Sequence, residues 1–296
     1  MTAVTVSTAP SSPKSPGFWY RHPQARLVGL LGAPMAWLVL VYLGSLAALF
    51  ITAFWTVDGF TGAIVRTFTL QNFIDAFTTP AYLQTMGRTV LIAVSVTVIC
   101  FVIAMPLAFF MARIAAPRFR PVLIAMVLTP LWASYLVKVY AWRAMLAPET
   151  GVLNSALEPL GLGSPGYGQF GIVVTLSYLW LPYMILPIYA ALIRLPASML
   201  DASADLGAKS WRTFRSVVLP LVAPSIIAGS IFTFSLSLGD YITAQIVGGK
   251  VVMLGNVVQQ NYVTNLPFAA AVATLPVIVV LGYLAAVRRT GALENL

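Results

Sequence analysis

Residues 194–220 read RLPASMLDASADLGAKSWRTFRSVVLP, the longest polar and charged stretch set between two strongly apolar ones. Leu200 to Leu206 is a short run of fair helix formers, and it stops at Gly207. Glycine readily takes the left-handed conformation on which many helices end. Ser210 then stands where a side chain can cap a second short helix through Val218, and Pro220 suits the start of the next one. Trp211, Phe214, Val217 and Val218 recur at helical spacing, with Arg212 and Arg215 off that face. The stretch therefore predicts two short helices at an angle, presenting an aromatic and aliphatic face. Such a face calls for a partner to cover it.

On either side the chain is a membrane protein. Of its 296 residues 59% are hydrophobic and 8% charged, a balance that excludes a soluble domain of this size. Six apolar segments are long enough to span a bilayer: 27–57, 89–112, 121–146, 170–193, 221–247 and 267–287. The third is the least clean, since Lys138 and Arg143 lie inside it. Residues 1–17 are rich in Ser, Thr and Pro and predict a disordered tail, and 291–296 form a second tail. The first apolar stretch starts late and runs too long for a cleaved leader. No linker or internal repeat divides residues 18–290, which read as one domain of six transmembrane helices, all-α in class.

The net charge of +9 is spread over short loops, which speaks for topology and against a nucleic-acid surface. With the N-terminus inside, the cytosolic set is Lys14, Arg21, Arg26, Arg113, Arg118, Arg120, Arg194, Lys209, Arg212, Arg215, Arg288 and Arg289. That is most of the Lys and Arg in the chain, so both termini and the 194–220 loop are expected in the cytosol. Outside, 59–86 predicts a short interfacial helix near Leu70 to Phe77. The segment 147–168 is an acidic, proline-broken loop, either a connector or a contact for a protein outside the membrane.

Inside the membrane, the fourth segment holds Trp180-Leu-Pro182-Tyr183 and then Pro187. Prolines deprive the backbone of donors, which predicts a kink or local unwinding there. Trp180 and Tyr183 are candidates for lining a route, or else simply pack. In the fifth segment Ser225 with Gly229, and Ser235 with Gly239, allow another helix to come close, as suits the centre of a two-subunit assembly. Asp240 follows, and a carboxylate at that depth needs a partner or water. Two readings stand: an ion pair with Lys138 at similar height, or, with Tyr241, the outer mouth of a cation pathway.

Catalytic constellations are missing from the sequence. His22 is the single histidine and lies in the tail, and Cys100 is the single cysteine, so no His-based triad, His metal cluster or internal disulfide is possible. Gly207-Ala-Lys-Ser210 lacks the upstream glycine of a phosphate-binding loop. A secondary transporter would show inverted repeats or more intramembrane acids, and a membrane enzyme would show clustered polar groups at one depth. Neither pattern is present.

Asp201-Ala202-Ser203, Gly207 and Val217-x-Leu219-Pro220 fall at every spacing of the EAA-xxx-G-x9-I-x-LP loop, and the chain resembles the ABC importer permeases that carry it. The resemblance implies the type I importer permease fold and a loop that couples to an ATPase subunit. It gives that role to Asp201, Ala202, Ser203, Asp205, Gly207, Ser210, Trp211, Phe214, Val217, Leu219 and Pro220. Asp, Ser and Val stand here for Glu, Ala and Ile of the pattern. Further stretches resemble the polyamine (spermidine/putrescine) branch: Pro130 to Trp142, Leu181 to Leu192, Ala204 to Ala208, and Leu238 to Tyr241 with Gly248-Gly249. That branch implies a bacterial inner-membrane heterodimer with a second permease, two ATPase subunits holding ATP and Mg, and an extracytoplasmic solute-binding protein. The implied cargo is a polyamine or similar small organic cation, with another small organic solute as the alternative. Trp180, Tyr183, Asp240, Tyr241 and Lys138 are the pathway candidates.

Overall fold

The computed structural model describes residues 31–160 and 166–289, so the two expected tails lie outside the described residues. The chain divides into two units, residues 1–51 and 52–296. The first candidate span, α1 (Leu31–Thr52), passes through a π turn at Leu38–Leu43.

After α1 come a two-residue hairpin, β1 (Thr56–Val57) paired antiparallel with β2 (Ile64–Val65), and a short helix α2 (Gln71–Thr78). The side-chain amide of Asn72 ties α2 down by donating to the carbonyls of Ala53 and Trp55, both at 2.8 Å. The spans α3 (Pro80–Ile114), α7 (Gln169–Arg194), α9 (Ser210–Leu238) and α12 (Leu266–Arg289) follow in chain order. Between α3 and α7 lie α4 (Pro117–Trp132), α5 (Tyr135–Met145) and α6 (Val152–Leu157). The remaining short helices are α8 (Ala197–Asp205), α10 (Ile242–Val247) and α11 (Leu254–Thr264).

The core is built by α3, α7 and α9, with α7 at the centre. Ile92, Val96, Cys100, Ala104 and Ala108 recur every four residues along α3 and meet Ile172, Leu176, Met184, Ile185, Ile188 and Leu192 of α7. Lipid is as apolar as leucine, so close packing has to hold these helices together where hydrophobic transfer cannot. Small residues supply the closeness. A methyl group at Gly229 of α9 would stand 2.9 Å from Met184 Sδ and 3.1 Å from its Cα. The small-residue signal in α9 thus serves a contact within this chain, on α7. Gly239 makes no comparable approach, its nearest neighbour being the Ser235 carbonyl at 3.7 Å.

Two spans depart from expectation, and in a third one of two alternatives falls away. The third is two helices, α4 and α5, bent by 93° at Ala133-Ser134, where both residues are extended. Pro130 sits in the last turn of α4 and withholds a donor just before the break. The fifth stops at Gly239 and restarts at Ile242, so Asp240 lies in a turn and not on a helix. The fourth is the reverse case: α7 runs unbroken through Pro182 and Pro187, with no unwinding.

Gly229→Val tests the α7–α9 contact. Overpacking of this kind costs about 1–3 kcal/mol, so the variant is expected to unfold several degrees below wild type in detergent. Gly239→Ala, whose Cβ would make only an ordinary contact with the Ser235 carbonyl at 3.7 Å, should leave the midpoint unchanged.

Candidate functional site

The 194–220 loop is a pair of short helices closed by glycine. Pro196 precedes α8, and Leu206 ends it. Gly207 then takes φ of +77°, and two backbone bonds close the turn: Ala208 N–H to Ser203 O at 3.1 Å and Gly207 N–H to Ala204 O at 2.8 Å. This six-to-one and five-to-two pair is the Schellman arrangement, which satisfies carbonyls the helix end would otherwise strand. Ser203 is buried, and its hydroxyl bonds that of Thr213 at 2.9 Å, fixing α8 against the start of α9. Asp201, Ala202 and Asp205 are exposed.

Two local expectations change. Ser210 is the first helical residue, and the capping position belongs to Lys209, with no side-chain bond. No separate second helix ends at Val218: α9 continues through a π turn at Phe214–Val218 into the span, with Pro220 in its path. The proline lacks the N–H that would reach the Ser216 carbonyl, and a widened turn before it accommodates that loss. The apolar face is also divided. Val218 is 2% exposed and Phe214 meets Phe109 of α3 edge-on at 6.3 Å, so these pack inward. Trp211, stacked on Phe214 at 5.7 Å, stays 69% exposed, and Leu206 is 88% exposed. Val217 and Leu219 are half-buried and Pro220 is exposed.

A second cluster forms where two helix breaks meet. Asp240 is buried in the turn after α9, and one carboxylate oxygen accepts the Thr243 N–H at 2.8 Å, capping α10. The other accepts the hydroxyl of Tyr135, the first residue of α5. Tyr135 and Thr243 hydroxyls lie 2.8 Å apart and close the triangle. Asn256 of α11 donates to the Tyr241 carbonyl at 2.8 Å, and its own oxygen accepts the Met253 N–H at 3.0 Å. Gly255 lets that helix approach, since a Cβ there would sit 2.9 Å from Tyr241 Cβ.

The expected Lys138–Asp240 ion pair does not form. Because the helix ends at Gly239, the carboxylate turns to α10 and Tyr135, and Lys138 stays half-buried on α5. Trp180 and Tyr183 do join Asp240, through a residue absent from the expectation. Tyr135 stacks with Trp180 at 6.1 Å, Trp180 meets Tyr183 at 5.9 Å, and Tyr183 meets exposed Phe232 at 6.4 Å. The Trp180 indole N–H is buried without a partner. Tyr241 lines an open groove of about 520 Å³ with Gln259, Tyr262 and Pro276. Tyr135 lies in the Pro130 to Trp142 stretch but is not singled out there, and Thr243 is not read at all, because the contacts of both arise only through the fold.

Among the described residues no cluster of His, Cys, Asp or Glu could hold a metal ion. Among the described residues five helices and one bent pair are long and apolar enough to cross a membrane. The fold is that of ABC importer transmembrane subunits. It matches a chain of a bacterial ABC transporter that imports the acidic polysaccharide alginate, with a TM-score of 0.71 at 16% identity over 92% of this chain and 98% of that one. A chain of the MetNI methionine ABC transporter matches with a TM-score of 0.57 at 19% identity, over 72% of this chain and 95% of that one.

Sequence carries the assignment further. Residues 90–288 match the family described as binding-protein-dependent transport system inner membrane component, and this chain belongs to it. The inner membrane ABC transporter permease protein YdcU of Escherichia coli K12 is 43% identical over 99% of this chain and 100% of its own length. The spermidine/putrescine permease protein PotB of Haemophilus influenzae is 33% identical over 80% of this chain and 84% of its own. The protein is thus a multi-pass inner-membrane permease subunit of an ABC importer, a non-catalytic component.

Tyr135→Phe removes the hydroxyl shared by Asp240 and Thr243. Leaving a buried acceptor unpaired costs about 1–3 kcal/mol, so its unfolding midpoint should fall in detergent. Asp240→Asn, which can keep both contacts, should fall less.

Proposed function

We propose that the chain is one half of a heterodimeric importer of polyamines or similar small organic cations, driven by two ATPase subunits and fed by an extracytoplasmic solute-binding protein. Residues 18–290 act as one permease domain with both termini in the cytosol, in keeping with the bias of basic residues. ATP and Mg sit on the partner subunits. The likeness to PotB supports the substrate class, and the structure of the alginate transporter in complex with a periplasmic protein supports the binding-protein partner.

The 194–220 loop is the ATPase contact in this reading. The observation that carries it is the combination of an internally locked turn with an exposed Leu206 and Trp211 at its apex. A rigid element transmits displacement, and its uncovered apolar groups need a protein surface. Asp201, Ala202 and Asp205 complete that surface. Ser203 and Gly207 hold its shape, Ser210 opens α9, and Phe214, Val217, Leu219 and Pro220 lead the motion into the span. ATP binding and the loaded binding protein must both favour the outward-facing state, since a ligand shifts an equilibrium only by differential affinity.

For the pathway, Trp180, Tyr183 and Asp240 are the supported lining. Tyr135 joins them through its stack on Trp180. Tyr241 belongs to the adjoining groove, and Lys138 lines the outer approach.

The test separates backbone from side chain at Gly207. A Cβ there meets nothing within 4 Å, so only the positive φ resists substitution. Gly207→Val, strained by roughly 1–3 kcal/mol, should abolish uptake of labelled spermidine into proteoliposomes of the whole complex while ATP hydrolysis continues. Gly207→Asn, which tolerates this conformation, should retain most uptake. Wild-type uptake in Gly207→Val and in Trp211→Asp would overturn the coupling role.

A further inference from the structure

Pro196 creates a specific vacancy at the entry to the loop. The helix ends because Leu195, the residue before the proline, is extended (φ −69°, ψ 120°), and Pro196 itself has no N–H to give, so the Leu192 carbonyl gets no backbone donor from residue 196. The carbonyl is nevertheless satisfied. Arg113 Nη2 donates to it at 2.6 Å, and the same nitrogen donates to the carbonyl of Leu195, the residue that caps α7. A guanidinium from another helix replaces the missing backbone donor. It does so at a helix C-terminus, where the unpaired carbonyls and the dipole both favour a cation.

Arg113 lies in the π turn Phe110–Ile114 that ends α3, held by the Ala115 N–H on the Phe110 carbonyl at 2.8 Å. Four residues earlier Phe109 meets Phe214, the ring at the other limb of the loop. The inner end of α3 therefore grips the loop twice, at Leu192 and Leu195 where the chain enters it and at Phe214 where it leaves. In the sequence Arg113 counts only toward the charge bias that sets topology. A topological arginine has no need of a buried fit, yet here the Nε is buried without a partner while Nη2 serves two carbonyls.

We propose that Arg113 is a positioning residue for energy coupling. It holds the carbonyls left open where α7 ends before Pro196, so that displacement of the loop moves α3 and α7 together and is not absorbed at the α7 end. The proposal rests on the reading of the 194–220 loop as the ATPase contact.

The experiment measures spermidine taken up per ATP hydrolysed by the full complex in proteoliposomes, for Arg113→Met, Arg113→Lys and each combined with Pro196→Ala. Arg113→Met should assemble and hydrolyse ATP with its uptake-to-hydrolysis ratio down roughly tenfold, the scale set by loss of a charge-assisted bond. Pro196→Ala supplies an N–H and lifts the restriction that favours an extended Leu195, so α7 can lengthen and satisfy the Leu192 carbonyl from its own backbone; it should recover much of that ratio. A merely structural arginine would not give this rescue. If Arg113→Met fails to assemble, the same rescue is read on Arg113→Lys, which keeps the charge without the planar fork. An unchanged ratio, or no rescue by Pro196→Ala in either background, overturns the proposal. Gly207→Val in the same preparations separates the two ideas: if it uncouples and Arg113→Met does not, the loop reading stands and only Arg113's role fails.

Discussion

A bilayer offers no water to a stranded backbone group, so every amide or carbonyl released by a proline or a helix break must find a protein partner. That constraint organises this chain. The Leu192 carbonyl freed by Pro196 finds Arg113, and the turn after α9 is closed by Asp240 with Tyr135 and Thr243. The first amide of α11, at Leu254, finds the hydroxyl of Thr89 on α3 at 2.9 Å. Each solution joins segments far apart in sequence. The irregular points are consequently the places where the spans are fastened to one another.

How much of this was legible depends on the range of the forces involved. Gly207 and its left-handed turn could be read directly, because a helix end of that type is decided within six residues. The apolar spans were equally plain. The break after Leu238 was not, because 221–247 reads as a single apolar run. Its interruption is stabilised by Tyr135 and Asn256, which come from other helices. Counting depth along an imagined straight helix brought Asp240 level with Lys138, and the pairing failed with the helix. The small residues of α9 signalled a close approach, and at Gly229 the neighbour within this chain is α7, which sequence spacing alone does not name. Trp211 and Phe214 share a helical face in projection, yet one packs on α3 and the other remains in the open.

The fastenings also bear on mechanism. A loop that moved independently of the spans would dissipate any push applied to it. Here α8 is locked to α9 by Ser203 and Thr213, α9 runs without interruption from the loop into the membrane, and α3 holds both limbs. In the proposed coupling the two sites would act as one lever, with the loop at one end of α9 and at its other end the turn where Asp240 meets the aromatic series Tyr135, Trp180 and Tyr183. Motion along α9 would reach that series without crossing a flexible joint.

The most direct test of this account is photo-crosslinking from Leu206, the most exposed apolar group of the loop, in membranes carrying the complete transporter. With a benzophenone amino acid at that position, the account predicts an adduct with the ATPase subunit whose yield changes when ATP is bound. Adducts confined to lipid or to an extracytoplasmic protein, or a yield indifferent to nucleotide, would contradict it.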